Sequence, residues 1–171
     1  MYSMLFGANH NKINLKLESL AQKDIDNSID LTPQMDMKLQ NDIVNVIQEY
    51  NLNTRTQYFV TKSSNYYNCH GLVFGSRRTC ILNSETVHQV LDEDKYSETS
   101  DVKVGDVAVY WDSEKIIHHT GLVIQVEDYV KVWSKWGVMG EVVHWAHNCP
   151  YIKKLHLNIV YYERLEKYAK L

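Results

Sequence analysis

Cys69 and the pair His118–His119 are the residues of this chain whose types most directly suggest chemistry. Cys69 lies in the stretch Y-Y-N-C-H-G-L-V-F, which spans residues 66–74. Asn68 is a favourable helix N-cap, and the apolar residues that follow predict a helix beginning at Cys69. A thiol at a helix N-terminus has a lowered pKa, and the N–H groups there can stabilise an oxyanion on a bound acyl group. The alternative is a buried cysteine that only packs.

A nucleophilic thiol requires a base within hydrogen-bond reach, and one of the two histidines is the candidate. The residues after them, T-G-L-V-I at 120–124, predict a strand. Neighbouring side chains on a strand point to opposite faces, so only one of His118 and His119 can face Cys69. Gly121 would let another group approach the strand closely. Taken alone, a strand histidine is more often a surface or core residue.

A helix headed by a cysteine, a strand that begins with Gly-Asp and a strand that begins with His-x-Gly follow one another along the chain. They are Cys69 with its helix, Val104-Gly105-Asp106-Val107-Ala108-Val109-Tyr110, and His119-Thr120-Gly121-Leu122-Val123. This order, which covers residues 68–136, resembles the NlpC/CHAP-like group of papain-like cysteine peptidases and amidases. The resemblance implies that Cys69 is the nucleophile and that His119 is the base. His118 does not match, because the glycine of the family lies two residues after its histidine.

The resemblance also implies a third polar residue on the next strand, which here reads V-K-V-W-S-K-W-G. Ser134 is aligned with that position, and its hydroxyl can accept a hydrogen bond from the His119 ring. Lys135 has only donors when it is charged and would oppose a charged imidazole. His144 is the second choice for the orienting group. Relatives usually offer His, Asn, Gln or Glu here, so either the activity is modest or the orienting group comes from elsewhere.

Aromatic residues are expected to line the cleft. By resemblance, Tyr67, just before Cys69, aligns with an aromatic residue that related enzymes hold near the oxyanion. Trp136 and Tyr151 are expected in the cleft wall. The block S-K-W-G-V-M-G-E-V-V-H-W-A-H-N-C-P-Y, residues 134–151, resembles a block of uncharacterised bacterial members of this superfamily. The alternative for this block is a packed aromatic hairpin.

A metal site is a competing interpretation of the histidines and cysteines. His144, His147 and Cys149 are close in sequence, and further ligands could come from Cys69, His70 and His119. Structural zinc sites usually show paired C-x-x-C or H-x-x-x-H spacings, which this segment lacks. We therefore expect no metal and no cofactor.

The remaining pattern predicts an α+β fold in a single domain, with a helical extension over residues 1–60 and a catalytic-type core over 61–171. Helical spacing predicts a helix over 33–50 with Thr32 as its cap, and a short helix that starts at Asn83-Ser84. Alternating apolar residues predict strands at 107–111, 122–126 and 130–134. Further strands are expected at 141–145 and 159–162, and the last of these is expected to close the sheet. Residues 57–60 are expected to be extended and 92–102 to form a charged connection. By resemblance, the fold is papain-like, and the nucleophile helix packs across an antiparallel sheet.

Composition restricts the partners of the protein. The chain has 171 residues, of which 44% are hydrophobic and 23% charged, and a formal net charge of -3, which is typical of a soluble globular protein. The sequence shows no basic face, no apolar stretch of membrane length and no secretory leader. We therefore expect no nucleic-acid or membrane partner, and a cytoplasmic location or export by a non-classical route. Three cysteines, an odd number, predict at least one free thiol rather than a disulfide framework.

These patterns favour cleavage of an amide bond by the Cys69–His119 pair. By resemblance, the substrate is a peptidoglycan-type peptide or another amide, and the protein acts as a peptidase, an amidase or a delivered toxin or effector. The N-terminal region is then available for a protein partner. The competing hypothesis is a catalytically inactive papain-like scaffold that acts as a protein-binding module.

Overall fold

The computed structural model describes residues 17–28, 37–49 and 58–164. The helices in these ranges are α1 (Met37–Glu49), α2 (Cys69–Phe74), α3 (Ser84–Glu93) and α4 (Pro150–Leu155). The strands are β1 (Leu17–Glu18), β2 (Asp24–Ile25), β3 (Tyr58–Phe59), β4 (Tyr96–Thr99), β5 (Val107–Trp111), β6 (Ile117–Val126), β7 (Val130–Lys135), β8 (Glu141–Trp145) and β9 (Asn158–Arg164). A 3-10 turn, Ala146–Asn148, joins β8 to α4.

Seven strands form one sheet in the order β3-β8-β7-β6-β5-β9-β4, and each pairing in it is antiparallel. The strands from β5 to β8 are neighbours both in sequence and in the sheet, and β6 and β7 form a hairpin whose turn contains Glu127 and Asp128. β1 and β2 pair separately. The α+β class with an antiparallel sheet is therefore confirmed.

Helices cover both faces of this sheet, so its central strands are buried on both sides. All five residues of β5 are buried. Because side chains alternate along a strand, Ala108 and Tyr110 pack with α1 and α4, whereas Val107, Val109 and Trp111 pack on the opposite face with α3 and the end of α2. We call these two sides the α1/α4 layer and the α2/α3 layer. The α1/α4 layer also contains Ile43, Val46, Ile47, Val132, Trp136, Val142, Cys149 and Tyr151, and the α2/α3 layer contains Ile81, Val87, Val90, Leu91 and Ile117.

Helix α1 forms because apolar residues recur along one of its sides. Ile43, Val46 and Ile47 have the i, i+3, i+4 spacing of a buried stripe, and all three are buried. The described part of the helix predicted over 33–50 is therefore confirmed, whereas Thr32, Pro33 and Tyr50 lie outside the described residues. With 13 residues α1 is shorter than a bilayer requires, and none of the described helices has the length and apolar content of a membrane span.

Three features differ from the sequence prediction. Residues 92–102 contain β4, a partly exposed strand that pairs with β9, and its Y-S-E-T sequence lacks the apolar alternation that marks a buried strand. β9 does not close the sheet but lies between β5 and β4, because β4 pairs along its outer side. Helix α4 was not predicted, since six residues are too few to show a helical period.

Candidate active site

Helix α2 begins at Cys69, as predicted. The side chain of Asn68 caps the helix by accepting a hydrogen bond of 2.9 Å from the Gly71 N–H. The same side chain bonds both backbone groups of Ile81, which ties the start of the helix to the following segment. A Cβ atom at Gly71 would lie 1.7 Å from the Thr79 carbonyl oxygen, so only glycine fits this turn. Asn68 and Gly71 therefore fix the position of Cys69.

The thiol of Cys69 is almost completely buried, with 7% exposure. Burial raises its pKa to about 11, although N–H groups of Thr120, His70 and Cys69 itself, and the charge of Lys135, act in the opposite direction. The expectation of a lowered pKa is therefore wrong, because the cost of removing the thiolate from water exceeds the benefit of the helix end. At neutral pH the thiol is protonated.

His119 lies on β6 and points into the α1/α4 layer. Its ring stacks on Tyr151 with 4.7 Å between ring centroids and lies 5.2 Å from the Tyr110 ring. The residue is fully buried, and neither ring nitrogen has a hydrogen-bond partner among the described residues. Burial, followed by the charges of His144 and His70, holds its pKa well below the usual value, so the ring is neutral.

His118 differs from His119 in the way strand alternation requires. Its Nε2 lies 2.8 Å from a carboxylate oxygen of Asp112, and its side chain is partly exposed. Thr120, on the same face as His118, bonds Nδ1 of His70 on α2 at 2.9 Å. Gly121 is needed because a Cβ there would lie 2.3 Å from the Val132 side chain on β7. The group that approaches Gly121 closely is therefore a side chain of the adjacent strand.

His144 and Cys149 lie beside His119. One donor atom from each of these three residues lies within 4.8 Å of the other two, and all three residues are buried. His144 Nε2 is 2.8 Å from the Ser134 hydroxyl, and its Nδ1 is 2.8 Å from the Trp145 carbonyl oxygen. Ser134 therefore bonds His144 instead of filling the orienting role toward His119 that the resemblance implied.

Cys69 is coupled by charge to two residues near His119 and also to Lys135. A charge on Cys69 would raise the pKa of both Cys149 and Tyr151, and Tyr151 stacks on His119. We call His119, His144, Cys149 and Tyr151 the histidine–thiol cluster. Sequence reasoning placed Tyr151 in a cleft wall and Cys149 in a metal alternative, but it did not place them against His119. His147, the third residue of that alternative, is exposed.

The other predicted site residues lie in the α2/α3 layer or against His144. The Tyr67 hydroxyl donates to Glu141 at 2.6 Å, and Arg77 Nε donates to the same carboxylate at 2.6 Å. Lys135 is fully buried, and its ammonium donates to the carbonyls of Ser64, Gly137 and Met139. We call Tyr67, Arg77, Lys135 and Glu141 the Lys135–Glu141 network. Trp136, one residue on, packs against the His144 ring at 5.2 Å.

No family model, no curated protein and no solved structure matches this chain. A function for the chain therefore has to be drawn from the residues and their geometry.

Proposed function

We propose that this protein is a cysteine-dependent amide hydrolase with a papain-like arrangement of the NlpC/CHAP type, in which Cys69 is the nucleophile and His119 the base. The observation that carries the proposal is the packing of helix α2, which begins at Cys69, on strand β6, which carries His119: His70 Nδ1 lies 2.9 Å from the Thr120 hydroxyl. His119 in turn has two buried ring nitrogens without a hydrogen-bond partner among the described residues. An unpaired buried base is rare in a purely structural core, since such groups are normally satisfied.

The reaction starts from a neutral thiol and a neutral imidazole. The Cys69 sulfur attacks the carbonyl carbon of the amide while its proton passes to a ring nitrogen of His119. N–H groups beside the sulfur, including that of Thr120, stabilise the oxyanion, and the imidazolium then protonates the leaving amine. Water cleaves the resulting thioester, which releases the acid and restores the thiol. Peptides, including those of the peptidoglycan type, are the substrate class.

The second candidate is a non-catalytic protein-binding module on the same scaffold. The burial of Cys69 and its raised pKa favour it, because both reduce the amount of reactive thiolate. The bond between Ser134 and His144 favours it too, since it leaves His119 without the expected orienting partner. The two candidates differ in one consequence: only the hydrolase requires His119 for acyl transfer to Cys69.

An acylation assay separates the candidates. The purified protein is mixed with p-nitrophenyl acetate near neutral pH, and release of p-nitrophenolate is followed by absorbance. We expect His119→Ala to slow the release by about 100-fold or more, the usual contribution of a general base, and Cys69→Ala to abolish it. His118→Ala is the matched control, because its ring bonds Asp112, and it should leave the rate unchanged. Equal rates for the wild type and His119→Ala would favour the binding module.

A further inference from the structure

Three buried donor atoms converge in the histidine–thiol cluster from separate elements of the fold. His119 comes from β6, His144 from β8, and Cys149 precedes α4. A nitrogen of each histidine and the sulfur of Cys149 all lie within 4.8 Å of one another. Two imidazoles and one thiol are the donor set preferred by zinc and similar borderline-soft ions, and they suit magnesium and calcium poorly.

The unpaired ring of His119 is a second, independent sign of a ligand. Both of its nitrogens are buried without a hydrogen-bond partner in the described part of the chain, and one of them faces the other two donors. Buried polar groups are normally satisfied by protein, water or an ion. A cation held between the three donors would satisfy one of these nitrogens.

The tautomer of His144 agrees with such a role. Its Nδ1 lies 2.8 Å from the Trp145 carbonyl oxygen, so Nδ1 carries the proton and Nε2 offers the lone pair. Donation of the second ring nitrogen to a backbone carbonyl is the usual outer contact of a metal-bound histidine. The Ser134 hydroxyl occupies Nε2 at 2.8 Å and has to move aside when an ion binds.

We infer that His119, His144 and Cys149 form a binding site for one borderline-soft divalent metal ion, for which zinc is the probe. Zinc bonds of about 2.1 Å to nitrogen and 2.3 Å to sulfur place tetrahedral ligand atoms about 3.5 Å apart, so the three donors close by roughly 1 Å. The Cys149 thiol loses its proton to solvent as the sulfur–metal bond forms. Three protein ligands leave a fourth position for water.

A bound ion also has a consequence for catalysis, and this clause rests on the proposed function. A His119 nitrogen that holds a metal ion cannot accept the proton of Cys69. Metal and acyl transfer therefore exclude each other, and the metal-loaded protein is the inactive form.

Cobalt and zinc titrations of the chelator-treated full-length protein test the site. We expect one equivalent of Co²⁺ to bind with a thiolate-to-cobalt charge-transfer band, and one equivalent of Zn²⁺ to displace it. Cys149→Ala should lose the band, and His144→Ala should weaken zinc binding by more than about 10-fold. His147→Ala is the matched control, because this exposed histidine lies three residues from His144 and should bind normally. Ser134→Ala should bind zinc at least as tightly as the wild type, since it removes the competing hydroxyl.

Absence of a stoichiometric metal in the wild type, or a charge-transfer band that persists in Cys149→Ala, would overturn the inference. If a variant fails to fold, the wild type alone decides, because zinc should raise its melting temperature and magnesium should not. The acylation assay on metal-free protein is independent of this result. Metal binding without acylation of Cys69 contradicts the proposed function only, and acylation without metal binding contradicts this inference only.

Discussion

Two buried polar clusters lie on opposite faces of the same sheet, and they are satisfied to different degrees. In the Lys135–Glu141 network, each of the three Lys135 N–H groups has a carbonyl partner and both carboxylate oxygens of Glu141 accept hydrogen bonds. In the histidine–thiol cluster, neither ring nitrogen of His119 has a hydrogen-bond partner in the described part of the chain. An unpaired buried polar group costs about 1–3 kcal/mol, so the second cluster lowers stability where the first supports it.

Under the proposed function, this difference separates a structural role from a reactive one. The network joins the segment around Tyr67, immediately before Cys69, to strands β7 and β8, and it thereby holds the chain that leads into α2. The cluster on the other face contains an imidazole without a hydrogen-bond partner among the described residues and the buried thiol of Cys149. Ser134, which forms a hydrogen bond with His144, faces one layer while the adjacent Lys135 faces the other, so strand β7 contacts both clusters.

The largest expected effect is on the network. Glu141→Ala should lower the free energy of unfolding by about 3–5 kcal/mol, because it leaves Tyr67 and Arg77 without their buried partner. Urea denaturation followed by circular dichroism measures the change. Glu163→Ala on β9, which is partly exposed, is the control and should change it by less than about 0.5 kcal/mol. If Glu141→Ala lowers the free energy of unfolding by less than about 1 kcal/mol, the network does not have the proposed structural role.

Lys135 should give the network a pH dependence of known sign. Burial lowers its pKa to about 8 from 10.5. Between these two values the unfolded chain binds more protons than the folded one, so the contribution of Lys135 to stability rises as the pH increases from about 8 to about 10.5 and is constant below that window. The free energy of unfolding of the wild type minus that of Lys135→Met, measured by urea denaturation across this range, isolates the effect. A difference that stays flat or falls would contradict it.

The smallest effect on stability is expected at His119. His119→Leu should leave the free energy of unfolding unchanged or raise it by about 1 kcal/mol, because the ring has no hydrogen bond to lose in the described part of the chain, its unpaired nitrogens already cost free energy, and leucine has a similar volume. His70→Leu is the informative counterpart, because it leaves the buried Thr120 hydroxyl without its hydrogen-bond partner. It should lower the free energy of unfolding by about 1–3 kcal/mol. Equal costs for the two variants would remove the contrast between paired and unpaired histidines.

Local patterns in the sequence predicted the elements that carry the site. Asn68 before an apolar run marked the start of α2, and alternation marked β5 to β7, because capping and strand alternation depend on near neighbours. The pairing of Ser134 with His144 could not be predicted, since it depends on the register that places Ser134 opposite Val142. The raised pKa of Cys69 was missed for a similar reason: burial results from the packing of distant segments.

The identity of the acylated thiol tests the central claim most directly. Two thiols are candidates for acylation: Cys69, the proposed nucleophile, and Cys149, whose sulfur lies beside His119. The protein is treated with limiting p-nitrophenyl acetate, quenched in acid and digested, and the acetyl group is located by mass spectrometry. The account predicts a thioester on Cys69 that disappears in His119→Ala. Acetylation of Cys149 instead, or of neither thiol, would contradict it.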